Sequence, residues 1–212
     1  MPPKNKDYTS GISATGLKPL AAVIYAAAAG EDEDMMKQVG SVVLNRLESG
    51  RSDFGAQNGS IIEVINHKNG FYEINKKSYD DFINGRFANE LEKKKALMAS
   101  SVASALTRGT IDRLPGQFWY NDPEISDLKR TKGMDFNQVQ EVGRTGKKKQ
   151  FKVFSYKDEY KSPNEMMNDF GFQDPKQFQQ FLVDNGQDIG VIDGMFGKKT
   201  KTGYLNLRKN KA

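Results

Sequence analysis

The stretch VIYAAAAGEDEDMMKQVGSVVLNRL, residues 23–47, decides the fold of the longer part of this chain. Around its first half, apolar residues recur at the three-to-four-residue spacing of one helix face: Leu20, Val23, Ile24, Ala27 and Ala28. Its second half repeats that spacing in Met36, Val39, Val43 and Leu47, and the acidic residues 31–34 favour the positive N-terminal end of this second helix. The stretch therefore predicts two helices that share a core and are joined by a turn rich in carboxylates. Pro19 is expected at the first position of the first helix.

The composition limits the chemistry that is available to the 212 residues. They include no cysteine, which excludes disulfides, thiolate metal sites and cysteine nucleophiles. They include one histidine, His67, which argues against a Ser–His–Asp triad and against a multi-histidine metal site. We therefore expect carboxylates to carry any acid–base chemistry, without a metal or a cofactor.

The charge balance allows more than one kind of partner. With 32 Lys and Arg against 27 Asp and Glu, the formal net charge is +5, which suits nucleic acid or an anionic cell-wall polymer but also an ordinary solvated surface. A basic run at Arg144 and Lys147–Lys149 leaves nucleic-acid binding open as an alternative, although no recognised nucleic-acid motif accompanies it. The prediction is a protein without a nucleic-acid partner.

The apolar segments do not predict a membrane protein. No apolar run approaches the roughly 20 residues that span a bilayer, so no membrane insertion is expected. Residues 20–29, LAAVIYAAAA, could belong to a signal peptide, but the preceding stretch is long and polar and contains Asp7, Gly11 and Gly16. Because the helical spacing explains the segment better, we expect synthesis in the cytoplasm without a signal peptide.

The remaining patterns predict a mainly helical α+β protein. A long helix is expected over 89–108, with these residues facing inward: Leu91, Ala96, Met98, Ala99, Val102 and Leu106. The aromatic and Val-rich segments QFWYN at 117–121 and FKVFSY at 151–156 predict strands, with irregular structure over 122–150. The predicted organisation is a flexible arm at 1–17, a first domain at 18–157, a linker at 158–164 and a small domain at 165–212.

Glu31 is the first candidate for chemistry. It follows the end of the first helix and precedes three further acidic residues, all of which disfavour a negative charge there, while the start of the second helix opposes that effect. A carboxylic acid that keeps its proton is what protonation of a glycosidic oxygen requires. On spacing alone, the favoured interpretation is simpler: an acidic first turn that only stabilises a helix.

Four segments, in chain order, resemble the SleB-type cell wall hydrolases, the spore-cortex-lytic family. The most specific is 23–47, an alanine-rich helix that ends in Gly-Glu and is followed by a helix ending in a Val-Val-Leu-Asn-Arg-like string. The others are SIIEVINHKNGFYEI at 60–74, LPGQFWYNDP at 114–123 and EVGRTGKKKQFKVFSY at 141–156. In the last segment Lys and Gln replace the family's usual His and the loop is longer, so no role of that histidine is carried over.

This resemblance implies a lysozyme-like or lytic-transglycosylase-like domain that cleaves the glycan strands of peptidoglycan. It implies that Glu31 protonates the oxygen between N-acetylmuramic acid and N-acetylglucosamine and then acts as a base. The base would act either on the muramyl C6 hydroxyl, which gives a 1,6-anhydro sugar, or on water, and the sequence leaves both outcomes open.

Trp119, Tyr120 and Asn121 are the candidate sugar contacts within the resemblance. Flat rings stack on sugar faces, and an amide can hydrogen-bond N-acetyl groups. Packing of these side chains in the core is the open alternative. Asn45 and Arg46 match the family string and are expected to brace the helix rather than touch substrate.

The C-terminal segment FQQFLVDNGQDIGVIDGMFGKKTKTGYLNL, residues 178–207, resembles the three-helix peptidoglycan-binding domain. The residues that carry this resemblance are Asp193, Gly194, Phe196, Gly197 and Thr200. They are interpreted as mainly structural: the two glycines would allow a tight turn and Thr200 would open the last helix. A calcium loop is rejected, because Gly186 and Met195 stand where ligands belong.

The two wall-related segments in one chain support each other, and their order is reversed from that of the spore enzymes. Together with the expected lack of a signal peptide, this suggests a bacteriophage lysin, either an endolysin or a virion-carried bacteriolytic enzyme. It would be made in the host cytoplasm and act on the cell wall. Its partners would be bacterial peptidoglycan and, for a virion-carried enzyme, other virion proteins. The alternative is a non-catalytic wall-binding or virion structural protein that keeps the same fold.

Overall fold

A computed structural model describes residues 14–67, 71, 74–116, 118–121, 136–149 and 151–210. Over these ranges the chain is mainly helical with a small sheet, which confirms the predicted mainly helical α+β class. It divides into two compact units, with the boundary between Ser155 and Tyr156. The arm predicted for 1–17 lies outside the described residues as far as residue 13, and residues 14–17 are already helical.

The first unit is built around one buried helix. Its helices are α1 (Ala14–Ala28), α2 (Glu33–Ser49), α3 (Ile61–Asn66), α4 (Lys76–Ile83) and α5 (Glu90–Arg108). The helix α1 packs against all four others. Its apolar face is fully buried, with Leu20, Val23 and Ile24 at 0% exposure, which accounts for the alanine-rich sequence between them.

Two details of these helices differ from the sequence prediction. Pro19 lies inside α1 rather than at its first position, because the helix begins at Ala14. Proline there removes one backbone hydrogen bond, and burial of the adjacent apolar face compensates for the loss. Leu91 and Met98 were expected to face inward on α5, but they are 62% and 36% exposed. The buried stripe instead follows Ala96, Ala99, Val102, Ala103 and Leu106.

The sheet of the first unit has three strands, β1 (Phe118–Asn121), β2 (Val139–Thr145) and β3 (Phe151–Tyr156), in the order β1-β3-β2. The central strand β3 pairs antiparallel with β1, and Trp119 lies opposite Val153. The predictions of β1 and β3 are confirmed. The prediction of irregular structure over 122–150 is wrong at β2, a largely exposed, polar strand whose conformation depends on pairing rather than on its own composition.

The second unit contains a short 3₁₀ turn (Asp158–Tyr160) and the helices α6 (Pro163–Asn168), α7 (Pro175–Asp184) and α8 (Lys198–Lys209). Its core is a cluster of buried side chains: Met166, Met167, Phe178, Leu182, Ile189, Tyr204 and Leu207.

The segment 158–164, expected to be a linker, is built into this unit. The Tyr204 hydroxyl donates a hydrogen bond to Asp169 Oδ2 at 2.6 Å and lies 3.2 Å from Asp158 Oδ1. Lys161 Nζ lies 3.0 Å from Asp158 and 2.6 Å from Asp169. Arg208 adds a second positive charge 3.4 Å from Asp158. These partly buried ion pairs hold the segment in place, which composition alone did not indicate.

We expect acid to destabilise this unit through Asp158. Burial raises the pKa of Asp158, but the hydrogen bond and charge of Lys161, with the charge of Arg208, lower the pKa further, so it lies below the ordinary value. A carboxyl whose folded pKa is depressed stabilises the fold above its unfolded pKa of about 3.9, and that contribution is lost as the pH falls through the folded value. Calorimetry of the full chain should therefore show a fall in thermal midpoint below about pH 4.

The matched variants for this prediction are Asp158→Asn and Asp184→Asn. Asp158→Asn should lower stability at neutral pH and reduce the acid-dependent fall, whereas the change at the exposed Asp184 should leave that fall intact. An equal fall in the wild type and in Asp158→Asn would show that this carboxyl is not responsible.

Candidate active site

Glu31 is fixed at the turn between α1 and α2. Its backbone N–H donates to Ala28 O at 2.9 Å, which continues the end of α1. The next residue, Asp32, caps α2, because its Oδ1 accepts from the Met35 N–H at 2.9 Å. The Glu31 side chain is half-buried. The acidic run therefore serves helix capping at Asp32, while the Glu31 carboxylate remains at the surface of the turn.

A basic turn of the β2–β3 hairpin lies against Glu31. The Lys147 backbone N–H donates to Glu31 Oε2 at 3.1 Å, and Lys147 Nζ donates to Gly30 O at 2.5 Å. Two residues further on, Lys149 Nζ lies 3.9 Å from Asp34 Oδ2. The acidic turn thus faces donors and positive charge from a segment more than a hundred residues away, and one oxygen of Glu31 is held in a defined direction.

A cleft of about 250 Å³ opens between α2, the segment before β1 and the hairpin. Its lining residues are Asp34, Gln38, Leu114, Pro115, Val142, Gly143, Arg144, Thr145, Lys149 and Val153. Glu31 is not one of the lining residues, but it precedes the lining residue Asp34 by three positions, and it is bonded to Lys147, in the same turn as the lining residue Lys149. A carboxylate next to a cleft of mixed polarity is the arrangement of a binding or catalytic site.

Polar residues on one face of α2 position the wall of the cleft. Gln38 Nε2 donates to Pro115 O at 2.9 Å, and Ser41 Oγ accepts from the Leu114 N–H at 3.0 Å. Asn45 Nδ2 donates to Leu114 O at 2.9 Å and to Gly116 O at 2.8 Å. The spacing of 38, 41 and 45 places all three on one helix face, so α2 fixes the segment that leads into β1.

Arg46 is buried at 4% exposure between two aromatic rings. Its guanidinium carbon lies 5.0 Å from the centroids of both Phe54 and Phe71. Both Asn45 and Arg46 are therefore used within the fold, which agrees with their interpretation as bracing residues.

The candidate sugar contacts Trp119, Tyr120 and Asn121 lie on β1. The backbone of this strand pairs with β3, whose Val153 lines the cleft, so β1 runs beside one cleft wall. Their side chains lie outside the described part of the structure. Contact of these side chains with sugar therefore stays a prediction.

In the second unit, the residues of the wall-binding resemblance meet around Gln179, which is 1% exposed. Gln179 Oε1 accepts from the Gly194 N–H at 2.7 Å, and Nε2 donates to Met195 O at 2.9 Å. Asp193 Oδ1 accepts from the Met195 N–H at 2.7 Å and thereby closes the turn. This hydrogen bond is the main reason that the pKa of Asp193 lies below its ordinary value.

Two expectations for this turn need correction. Gly194 has a φ of +86°, which favours glycine, but Gly197 has a negative φ and open space around a Cβ, so its place after the turn does not need glycine. Thr200 does not cap the last helix, because Gly197 occupies the N-cap position and the helix begins at Lys198. Thr200 is instead buried, and its Oγ1 lies 3.3 Å from Gln179 Nε2. Phe196 stacks on Phe178 with ring centroids 5.6 Å apart.

Gln179→Met should destabilise the second unit by about 1–3 kcal/mol, because it leaves the Gly194 N–H without its partner and removes one of the hydrogen bonds to the Met195 carbonyl. Chemical denaturation of the full chain, followed by circular dichroism, measures the effect. The neighbouring Gln180→Met is the control, since Gln180 is exposed and bonds only to the exposed Asp184 side chain among the contacts described. Equal stability of the two variants would contradict the central role of Gln179.

Three residues of these sites were missed in the sequence: Gln38, Thr145 and Gln179. For Gln38 a signal exists, since polar residues at 38, 41 and 45 repeat at helical spacing beside the apolar stripe of the helix. Thr145 and Gln179 carry no local signal: the fold places Thr145 in the wall of the cleft, and tertiary contacts bring to Gln179 the groups that it binds.

Within the described ranges, no three Asp, Glu or His side chains come together in the way that a metal site needs. In the same ranges, each helix is too short or too polar to cross a membrane. Comparison of the chain with protein families, with curated proteins and with solved structures finds no match. The resemblances to the SleB-type hydrolases and to the peptidoglycan-binding domain therefore stay predictions that rest on their motifs.

Proposed function

We propose that this protein cleaves the glycan strands of bacterial peptidoglycan, with Glu31 as the general acid and base. The observation that carries the proposal is the position of Glu31: a half-buried carboxylate at a helix–helix turn, held by the Lys147 N–H at 3.1 Å and three residues before Asp34, which lines a cleft. The SleB-type motif assigns the acid–base role to the same residue.

In the proposed reaction, Glu31 gives its proton to the glycosidic oxygen as the bond from that oxygen to the muramyl anomeric carbon breaks. The carboxylate then takes a proton from the muramyl C6 hydroxyl as its oxygen bonds the anomeric carbon, which yields a 1,6-anhydro sugar and restores the acid. If water takes the place of that hydroxyl, the same two steps give hydrolysis. Asp34 also lines the cleft, but the proposed reaction needs no second carboxylate, so Asp34 is not assigned a nucleophilic role.

The remaining assignments belong to the same proposal. The first unit would have a lysozyme-like build, and the second unit would be a wall-binding module of three helices that raises the local concentration of substrate. The whole would be a bacteriophage lysin, either an endolysin or a virion-carried enzyme. The turn around Gln179 supports the module assignment, since it gives the motif residues Asp193 and Gly194 a shared structural role.

Incubation of the full chain with purified, insoluble peptidoglycan tests the proposal. We expect the turbidity of the suspension to fall as soluble glycan fragments appear. A suspension that stays turbid while the protein sediments with it would favour the non-catalytic wall-binding alternative.

We expect EDTA to leave the rate of turbidity loss unchanged, because the proposed chemistry uses one carboxylate and no metal. The assay compares the same protein before and after chelation and dialysis. Loss of activity that zinc or calcium restores would show that a metal takes part, and it would remove the metal-free mechanism.

A further inference from the structure

One residue of the β2–β3 hairpin contacts the Glu31 turn through both its backbone and its side chain. The Lys147 N–H donates to Glu31 Oε2 at 3.1 Å, and Lys147 Nζ donates to Gly30 O at 2.5 Å. The first contact holds the carboxylate, and the second holds the backbone that carries it. Because Lys147 comes 116 residues after Glu31, both contacts depend on the folded chain rather than on local sequence.

The side-chain contact supplies a charge that α1 lacks. The helix has no basic residue in its last turn, although the C-terminal end of a helix carries partial negative charge. Carbonyl groups at that end also have no partner within the helix. The Gly30 carbonyl, two residues beyond α1, accepts from the Lys147 ammonium group instead. Lys147 therefore holds the turn that carries Glu31.

The hairpin turn gives Lys147 a defined conformation. The Lys149 N–H donates to Gly146 O at 2.8 Å, which closes a four-residue β-turn with Lys147 at its second position. Lys149 has a φ of +51°, which side chains rarely adopt, and its Nζ lies 3.9 Å from Asp34 Oδ2. A backbone of this kind persists where the surrounding contacts fix it, so the turn presents the Lys147 N–H in one direction.

The backbone contact distinguishes the two carboxylate oxygens of Glu31. A protonated carboxyl group has one O–H donor, and its other oxygen remains an acceptor. Because Oε2 accepts from the Lys147 N–H, we expect the acidic proton of Glu31 on Oε1. A carboxyl group that is held in this way keeps its proton-bearing oxygen in one position relative to a substrate, which proton transfer requires.

We infer that Lys147 is a positioning residue for Glu31: its N–H makes Oε2 the acceptor and leaves Oε1 to deliver the proton, while its ammonium group holds the turn. The inference rests on the proposed function, because the position of the carboxyl group affects the rate only if Glu31 transfers a proton. A purely stabilising role of Lys147 would leave the maximal rate of the folded protein unchanged.

Two substitutions separate the two contacts. Lys147→Met removes the ammonium group and keeps the N–H, whereas Lys147→Pro removes both. Proline suits the second position of a β-turn, so the turn should persist. We expect the maximal rate of wall clearing to fall about threefold to tenfold for Lys147→Met and about tenfold to a hundredfold for Lys147→Pro. The substrate concentration at half-maximal rate should stay unchanged, and Lys147→Arg should keep most of the wild-type rate.

Lys148→Met is the matched control, since Lys148 is an exposed lysine at the next position of the same turn. It removes the same charge and should keep the rate of the wild type. Circular dichroism establishes that each variant is folded at the temperature of the assay. The inference is overturned, and the proposed function left intact, if folded Lys147→Pro clears walls as fast as the control. It is also overturned if only the half-maximal substrate concentration changes.

Hydrogen exchange of the Lys147 amide in the full chain, followed by NMR spectroscopy, tests the contact without any activity. This amide should exchange about tenfold more slowly in the wild type than in Glu31→Ala, and Glu33→Ala should leave its exchange unchanged. Equal exchange in the wild type and in Glu31→Ala would overturn the inference even if the protein clears walls. Slow exchange in a wild type that clears no wall would refute the proposed function and, with it, the positioning role.

Discussion

Replacement of Glu31 by Gln should slow the clearing of a peptidoglycan suspension by about 10²–10⁴-fold, the usual contribution of general acid catalysis. The glutamine keeps the size of the side chain and can still accept a hydrogen bond from the Lys147 N–H, so the turn should keep its geometry. It cannot deliver a proton to the glycosidic oxygen. The effect should therefore fall on the maximal rate, with little change in wall binding or in thermal stability.

Glu33→Gln is the matched control for this experiment. Glu33 is an exposed carboxylate of the same acidic run, two residues away, in the first turn of α2. The substitution removes a negative charge that stabilises the N-terminal end of the helix by only about 0.3–1 kcal/mol. It should therefore leave the rate of clearing unchanged. If Glu31→Gln retains activity within about twofold of the control, the assignment of the catalytic acid is wrong.

Gly116→Ala should destabilise the first unit by about 2–5 kcal/mol, because strain and overlap add. Gly116 has a φ of +108°, a conformation that side chains rarely adopt. A Cβ at this position would lie 2.3 Å from Val153 Cγ1 and 3.2 Å from the Phe154 carbonyl oxygen. Neither group can move cheaply, since Val153 is buried in the central strand and is stiff at its branched carbon.

Gly85→Ala separates the two causes. Gly85 shares a positive φ of +67° but has open space where a Cβ would be placed, so its variant carries the strain without the overlap. Thermal unfolding of both variants should show a clearly larger fall in midpoint for Gly116→Ala. Equal effects would mean that the close approach of Gly116 to β3 does not contribute to stability.

The sequence predicted those elements whose patterns are local. Helices α1 and α2 follow from apolar residues at helical spacing and from the acidic N-terminal turn, and β3 follows from its run of aromatic and branched residues. The aromatic segment at β1 also indicated a strand, although the role of Trp119 and its neighbours in sugar contact depends on side chains that the backbone pattern does not place.

The elements that were missed depend on distant partners. The strand β2 is polar and contains Gly143, so its own sequence gives no strand signal, and pairing beside β3 determines its conformation. The same hairpin brings Lys147 to Glu31 and Thr145 to the cleft. No local pattern could indicate that the acidic turn at residue 31 faces a basic turn at residue 147.

The second unit shows the same division between local and distant information. The motif residues Asp193 and Gly194 were correctly read as structural, but Gln179, which joins them to Met195 and Thr200, was not identified. Thr200 was assigned to a helix start because threonine is common there, whereas tertiary contacts bury it against Gln179. The linker prediction failed for a similar reason, since ion pairs with Lys161 and Arg208 hold Asp158 in the unit.

Mass spectrometry of the fragments released from purified peptidoglycan tests the central claim most directly. The account predicts disaccharide-peptide fragments from the wild type that end either in a 1,6-anhydro muramyl residue or in a reducing muramyl residue, according to whether the C6 hydroxyl or water attacks. The Glu31→Gln protein, at the same concentration, should release almost none. Fragments cut only within the stem peptides, or equal release by Glu31→Gln, would contradict glycan cleavage by this carboxylate.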